Sequence, residues 1–488
     1  MILLAGSTVY ASTNLNFFQA RIHNINRQHL IALTQNGITI DNVRDNEAII
    51  YLRSDQLSVL ENMGISYDIR PPVRNANGYH SIESLADHLQ SVETNHPDIC
   101  KLYSIGKSYE GRDLWFMKIS DNVLDEEDEP EVKYISSMHG DEPVGMELCL
   151  HLIDYLSDNY NVLSNTTDLI NNLEIWIMPL MNPDGYVHQQ RYNMQGIDLN
   201  RDFPDRVSSN HNTTEGRAVE TAHVMNWAFA HSSVLSANFH TGALLVNYPY
   251  DSDYSPSKKY SATPDDELFQ KLSLSYSSLN PPMYNSPYFD RGITNGVQWY
   301  YAYGGMQDWN YIWLGCNEVT IELSDDKWPP FSTINSFWDD NQDAMLNYIT
   351  WALRGIRGVI TDSETNMPID AVVRIIGIDH DIYTDPDVGD YHRILLPGIY
   401  DIEFSAEGYL TKRKTNIVVT DGNAARLDIR LTHQSCLNTI ESAIIILKAM
   451  SGVAVDDNLL RFDINDDGTV GLMEAIYAMR LSANSISQ

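Results

Sequence analysis

Positive charge is what this chain has least of. Its 488 residues carry 32 Lys and Arg against 66 Asp and Glu, a formal net charge of −34 at pH 7. A field of that sign repels nucleic-acid phosphates and anionic membrane surfaces, and it draws in cationic ligands. Cysteine is scarce too: Cys100, Cys149, Cys316 and Cys436 stand far apart with no CxxC pair. That spacing argues against a thiolate zinc site and leaves two disulfides or none open. No apolar run past the N-terminus is long enough to span a bilayer. What is present suffices for packed cores, since 43% hydrophobic and 10% aromatic residues exclude a chain disordered throughout. The length implies roughly two to four domains.

The start, MILLAGSTVYAST, fits either the end of a secretory signal at residues 1–11, without its basic region, or an ordinary apolar N-terminus. Residues 12–71 alternate short apolar runs (IDNVRDNEAIIYLR) with a helical pattern (SDQLSVLENMGISYDI). With Ser54 as N-cap and Gly64 as a helix stop, this is a small α+β, prosegment-like unit. PPVRNANGYHS, at 71–81, reads as a linker. Between 72 and 356, strand-like runs such as EVKYISSMH, LEIWIMPLMN, SVLSANFH and EVTIEL alternate with helical ones. Such alternation predicts an α/β domain, a mixed sheet with covering helices. Short strands punctuated by Gly, Pro and Asp predict an all-β sandwich over 357–432. Residues 433–488 predict a small helical module around DINDDGTVGLME.

YISSMHGDEP runs from a buried strand into His139 and, three residues on, Glu142. Pro143 bars the one-turn helical spacing of HExxH and points to an extended Glu142, so the pair requires a hinge at the strand end. A catalytic zinc takes three His or carboxylate ligands and keeps one position open. His240, at the end of SANFH, is the candidate third ligand. Arg191, Asn200 and Arg201 in and before QGIDLNRDFPD supply groups suited to gripping a carboxylate. Tyr300 and Gln307 flank the pair Gly304–Gly305, read as a mobile loop. Glu322 ends an apolar strand, costly unless it works or is paired.

In this order these blocks resemble the zinc carboxypeptidases, specifically the N/E/D (regulatory) branch, from about residue 80 through the sandwich. That branch carries a transthyretin-like β-sandwich directly after its catalytic domain. The resemblance implies one catalytic Zn2+ on His139, Glu142 and His240, and Glu322 as general base. It implies that Arg191 holds the oxyanion and that Asn200 and Arg201 bind the substrate's terminal carboxylate, with Tyr300 closing over it. Asp251 and Gln307 fall at positions lining the pocket for a basic last residue. The implied activity is a secreted exopeptidase removing C-terminal Arg or Lys from peptides and proteins. This sequence departs from the branch with HGDE for HGNE, with Thr241 where Gly commonly stands, and with a shortened insert before Arg191. Readings kept beside it are a zinc peptidase of cell-wall peptides and a catalytically silent scaffold on the same fold.

DINDDGTVGLME fits a Ca2+-binding EF-hand loop, with Asp463, Asn465, Asp467, Thr469 and Glu474 as ligands and Gly468 at the sharp turn. The segment resembles a dockerin, which implies a cohesin-like partner; no nucleic acid and no membrane is expected. His223 and His231 read as surface or core-edge residues, DHD at 379–381 as a turn, and DEEDEP at 125–130 as a solvated loop.

Overall fold

The computed structural model describes residues 17–70, 78–208, 211–434, 440–453, 455, 462 and 469–485. The first unit is a four-stranded antiparallel sheet of order β2-β3-β1-β4, made of β1 (Phe17–Ile22), β2 (Thr39–Arg44), β3 (Glu47–Arg53) and β4 (Tyr67–Arg70). Helix Arg27–Gln35, N-capped by Asn26, packs Leu30 and Leu33 against it. β2 is an edge strand, and that edge faces the next domain.

The central domain holds an eight-stranded sheet of order β11-β10-β12-β9-β7-β8-β6-β5. Its strands are β5 (Cys100–Lys107), β6 (Asp113–Ile119), β7 (Glu131–Ser136), β8 (Glu174–Met178), β9 (Leu235–His240), β10 (Ala243–Tyr248), β11 (Ile293–Asn295) and β12 (Asn317–Ser324). The middle strands β8, β7, β9 and β12 run parallel. Helices cover both faces, so β7, β8, β9 and β12 are buried at every residue. Polar groups in these strands are satisfied internally: Glu318 accepts from Ser236 Oγ at 2.5 Å, Asn238 at 2.8 Å and Asn310 at 2.6 Å.

Next comes a β-sandwich of two sheets, β16-β13-β19 with β20 also on β13, against β15-β14-β17-β18. The strands are β13 (Gly355–Asp362), β14 (Val372–Ile375), β15 (Asp381–Tyr383), β16 (Asp390–Arg393), β17 (Gly398–Ser405), β18 (Lys412–Val419), β19 (Ala424–Arg426) and β20 (Ile429–Leu431). The sandwich begins two residues earlier than the sequence boundary. Helices Ile440–Met450 and Leu472–Ser485 follow, packed through Ala443, Ile446, Phe462, Ala475 and Ala478.

One open sequence reading closes and two are refined. Cys100, Cys149 and Cys316 are free and buried, so two disulfides do not form; Cys436 lies outside the described residues. The acidic run 125–130 is not simply solvated. Glu127, Asp128 and Glu129 are half-buried because the run passes against the sandwich, where Asp128 pairs with Arg426 at 2.6 Å. His380 of DHD is buried, its ring stacked 3.9 Å from that of Tyr311.

Candidate metal centre

The parallel strands deliver the chemistry at their C-terminal ends, where the direction of connection changes and ligands collect. β7 runs into Ser137, held at φ 53°, and then His139. A Cβ on Gly140 would lie 1.9 Å from the Gly185 carbonyl carbon, so only glycine lets the chain pass. The Glu142 N–H donates to the His139 carbonyl at 3.2 Å, closing a tight turn rather than the extended hinge expected from Pro143. Helix Val144–Asn159 then starts directly. β9 ends on His240, whose register partner on β12 is Glu322.

These elements bring His139, Glu142 and His240 to one point. The two imidazole Nδ1 atoms face each other at 3.0 Å, and the Glu142 oxygens lie 3.0 Å from His139 Nδ1 and 2.9 Å from His240 Nδ1. All three residues are buried. Burial lowers His240 to about 4, keeping its ring in the neutral form that donates a lone pair. Although burial would raise it, Lys327 and both imidazoles hold Glu142 well below the usual carboxylate range. Two lone-pair nitrogens and a carboxylate converging this closely fit a shared divalent cation, and the donor set is that of a catalytic zinc.

Groups unread in the sequence complete the setting. Asp198 accepts from His139 Nε2 at 3.0 Å and from Arg191 Nε at 2.9 Å, fixing a metal-binding ring and an arginine together. Its one sequence signal is its place two residues before Asn200. Lys327, three residues past the end of β12, pairs with Glu142 Oε1. Glu322 is 7% exposed and its Oε2 has no hydrogen-bond partner among the described residues. Burial first, then the Glu142 charge, raises it well above the usual range.

Arg191, Asn200, Arg201, Asp251, Tyr300 and Glu322 line one cavity with the three ligand residues. Asn200 does not point freely into it: its Oδ1 accepts from Met306 N at 3.0 Å and its Nδ2 lies 3.3 Å from His240 Nε2. Asp251 accepts from Asn247 at 2.8 Å, and burial raises it to about 6. Gly296 approaches it so closely that a Cβ would meet Asp251 Oδ1 at 1.9 Å. Gln307 is buried beside Asp251 rather than among the cavity-lining residues. The Gly304–Gly305 pair is pinned rather than loose, since a Cβ on Gly304 would lie 2.4 Å from the Arg201 carbonyl oxygen.

The N-terminal unit reaches into this cavity through β2. Buried Asp41 accepts from Arg191 and from Lys327, each at 2.8 Å. The Ile40 carbonyl accepts from Arg201 at 3.4 Å and the Asp41 carbonyl from Tyr300 at 3.4 Å. Trp299 donates to Val43 O at 3.1 Å and Asn42 to Gly242 O at 2.5 Å. The space left is about 20 Å³, room for roughly one water. β2 lies across the cavity that holds the three candidate ligand residues.

Two imidazoles and a carboxylate at parallel strand ends, beside an unpartnered buried acid, define a zinc-hydrolase type of centre. Residues 85–344 match the zinc carboxypeptidase family, and residues 355–432 match the carboxypeptidase regulatory-like domain. The chain belongs to the zinc carboxypeptidase family, and its central domain is a metallocarboxypeptidase domain. Human carboxypeptidase D is 40% identical over 384 residues, 75% of this chain and 28% of that protein. Carboxypeptidase SOL1 of Arabidopsis thaliana is 40% identical over 363 residues, 74% of each chain. The human carboxypeptidase N catalytic chain is 38% identical over 396 residues, 73% of this chain and 86% of that one. The chain therefore spans little more than a quarter of the carboxypeptidase D proteins it matches. Among solved structures, carboxypeptidase A from Helicoverpa armigera superposes with a TM-score of 0.55 at 18% identity, over 70% of this chain and 98% of that one. Likeness at that identity is likeness of fold.

Of the C-terminal loop, Asp463, Asn465 and Asp467 lie outside the described residues. Glu474 lies within them, buried, with Oε2 accepting from Gly471 N at 2.8 Å and Oε1 without a partner among the described residues. Thr469 is exposed. His231 is structural: it pairs with Glu131 at 2.8 Å and stacks on Trp227 at 4.2 Å.

Proposed function

We propose that this chain is a zinc-dependent exopeptidase that removes Arg or Lys from the C-terminus of peptides and is kept latent by its own N-terminal unit. The observation that carries this reading is the convergence of His139, Glu142 and His240 in one cavity with Glu322, Arg191 and Arg201. His139, Glu142 and His240 would hold the zinc, which would supply a water of lowered pKa and a polarised peptide carbonyl. Glu322, buried in the same cavity, would accept a proton from that water and pass it to the leaving amine. Arg191, which already holds the Asp41 carboxylate, receives the oxyanion once Asp41 is gone, a role worth about 3 kcal/mol where a single such donor is removed. Arg201 meets the free terminal carboxylate, which makes the enzyme act at chain ends. Asp251 faces the basic side chain of the last residue, where an apolar one leaves its charge unpaired. The reading of the C-terminal loop as a calcium site is supported by the buried Glu474 Oε1, which has no partner among the described residues.

The test uses protein freed of residues 1–74 and three peptides differing only at the end: C-terminal Arg, C-terminal Phe, and C-terminal Arg blocked as the amide. Release of Arg alone is expected, with kcat/KM at least tenfold above that for Phe and no reaction of the amide. Cleavage of the amide, or equal rates for Arg and Phe, contradicts the assignment of Arg201 or of Asp251 respectively.

A further inference from the structure

Where β2 crosses the metal-centre cavity, successive residues each meet the central domain. Asp41 pairs with Arg191 and Lys327, Asn42 donates to the Gly242 carbonyl, and Val43 O accepts from Trp299 Nε1 at 3.1 Å. Arg44, the last residue of the strand, forms an ion pair with Asp325 from far along the chain. Its guanidinium carbon also lies 4.7 Å from the centre of the Tyr288 ring, a cation–π contact. A carboxylate and an aromatic face turned to one guanidinium make a site that recognises a cation, and an arginine of this chain fills it.

The site is otherwise open. The Asp325 side chain is 52% exposed and Tyr288 49%. Together with Gly242, Asp326, Lys327 and Arg191 they line a cavity of about 1900 Å³ between the N-terminal unit and the central domain. A strand advances about 3.3 Å per residue, which places Arg44 roughly 10 Å along β2 from Asp41. When the N-terminal unit leaves, Asp325 and Tyr288 lose the cation that β2 supplied, on the same wall that carries Gly242 and Lys327 away from Arg191. A peptide seated on Arg191 and Arg201 has this wall on which to lay the residues before its end.

We propose that Asp325 and Tyr288 form a second specificity subsite, which takes a basic side chain about two or three places before the C-terminal residue. Arg44 is its stand-in in the intact chain. The proposal rests on the carboxypeptidase reading above and narrows it: the preferred substrates are peptides whose ends carry clustered basic residues rather than a lone Arg or Lys.

The test uses the full zinc-loaded chain, folded intact, then cut at a protease site placed in the 71–77 linker and separated from its N-terminal unit. Peptides ending in Arg carry Lys, Ala or Glu at each preceding position in turn. At the position that reaches Asp325, Lys should raise kcat/KM about three- to tenfold over Ala, as an exposed ion pair and a cation–π contact allow. The field of the whole chain favours basic peptides at every position alike. Asp326→Asn removes one charge beside the subsite, just as Asp325→Asn does within it, and so separates recognition from steering. Asp325→Asn and Tyr288→Ala should each bring the ratio towards one, Asp326→Asn should keep it, and Asp325→Lys should make Glu the preferred residue there. Calorimetric binding of the same peptides to the cut Glu322→Gln chain should rank them alike, and it reads the subsite even where nothing is cleaved. Arginine release and binding that ignore the preceding residues, or equal losses in Asp325→Asn and Asp326→Asn, overturn the subsite and leave the carboxypeptidase reading standing. Binding ranked through Asp325 with no release from any peptide supports the subsite and overturns that reading instead.

Discussion

Glu322 and the three ligand residues share a cavity but not a role. Among the described residues the Glu322 side chain makes no hydrogen bond to a ligand residue, so Glu322→Gln removes a proton acceptor and leaves the donor set whole. The variant should keep one zinc per chain by elemental analysis and lose about 10²–10⁴-fold in kcat. A rate within tenfold of wild type sinks its assignment as base. Asp251 sets a second expectation through pH. Burial raises its carboxyl from 3.8 to about 6, so the folded chain holds that proton more tightly than the unfolded one. The shift therefore costs stability as pH rises from about 4 to about 6. In function, the protonated form below about 6 no longer faces a cation. The preference for C-terminal Arg over Leu, as a ratio of kcat/KM in chain freed of its N-terminal unit, should shrink from pH 7 to pH 5. In Asp251→Asn it should be small and flat over that range; an unchanged pH response in that variant places the preference elsewhere.

Among elements, β2 is the one on which the proposed latency rests. It is an edge strand laid across the cavity, with Asp41 facing Arg191 and Lys327 and two main-chain carbonyls facing Arg201 and Tyr300. A buried charge partner is worth roughly 2–5 kcal/mol, so Asp41→Ala should loosen the strand and raise the activity of the uncut chain at least tenfold. No rise means that the main-chain contacts alone keep it shut. The alternation in IDNVRDNEAIIYLR showed that strands form here. It did not show where the edge docks, because Asp41 meets Arg191 across 150 residues of chain. Two ligand residues and the proposed base were legible for the opposite reason: His139, His240 and Glu322 sit at or near the ends of apolar runs, where the strand pattern itself stops. Asp198 and Lys327 carry no such mark, since an aspartate in a loop and a lysine past a strand look like surface. DEEDEP misled because composition reports charge and not what packs over it.

For the whole molecule, the sandwich is anchored to the catalytic domain by a buried ion pair. Arg393 of β16, 1% exposed, donates from one guanidinium nitrogen to both Asp265 oxygens at 2.7 and 2.8 Å, and Tyr311 donates to the same carboxylate at 2.8 Å. Removing one partner strands the other charge, so Arg393→Ala should cost about 3–5 kcal/mol by denaturant unfolding; a loss below about 1 kcal/mol shows the domains held by apolar packing instead. Latency, metal and end-specific cleavage then come together in one assay. A specific protease site placed in the 71–77 linker lets the N-terminal unit be severed and separated. Release of C-terminal arginine from a peptide is followed before and after, with and without a chelator. The account predicts negligible release from the uncut chain, at least a hundredfold more once the unit is gone, complete loss with chelator and recovery on adding zinc. Full activity in the uncut chain, or release that persists in chelator after metal is shown to be removed, contradicts it.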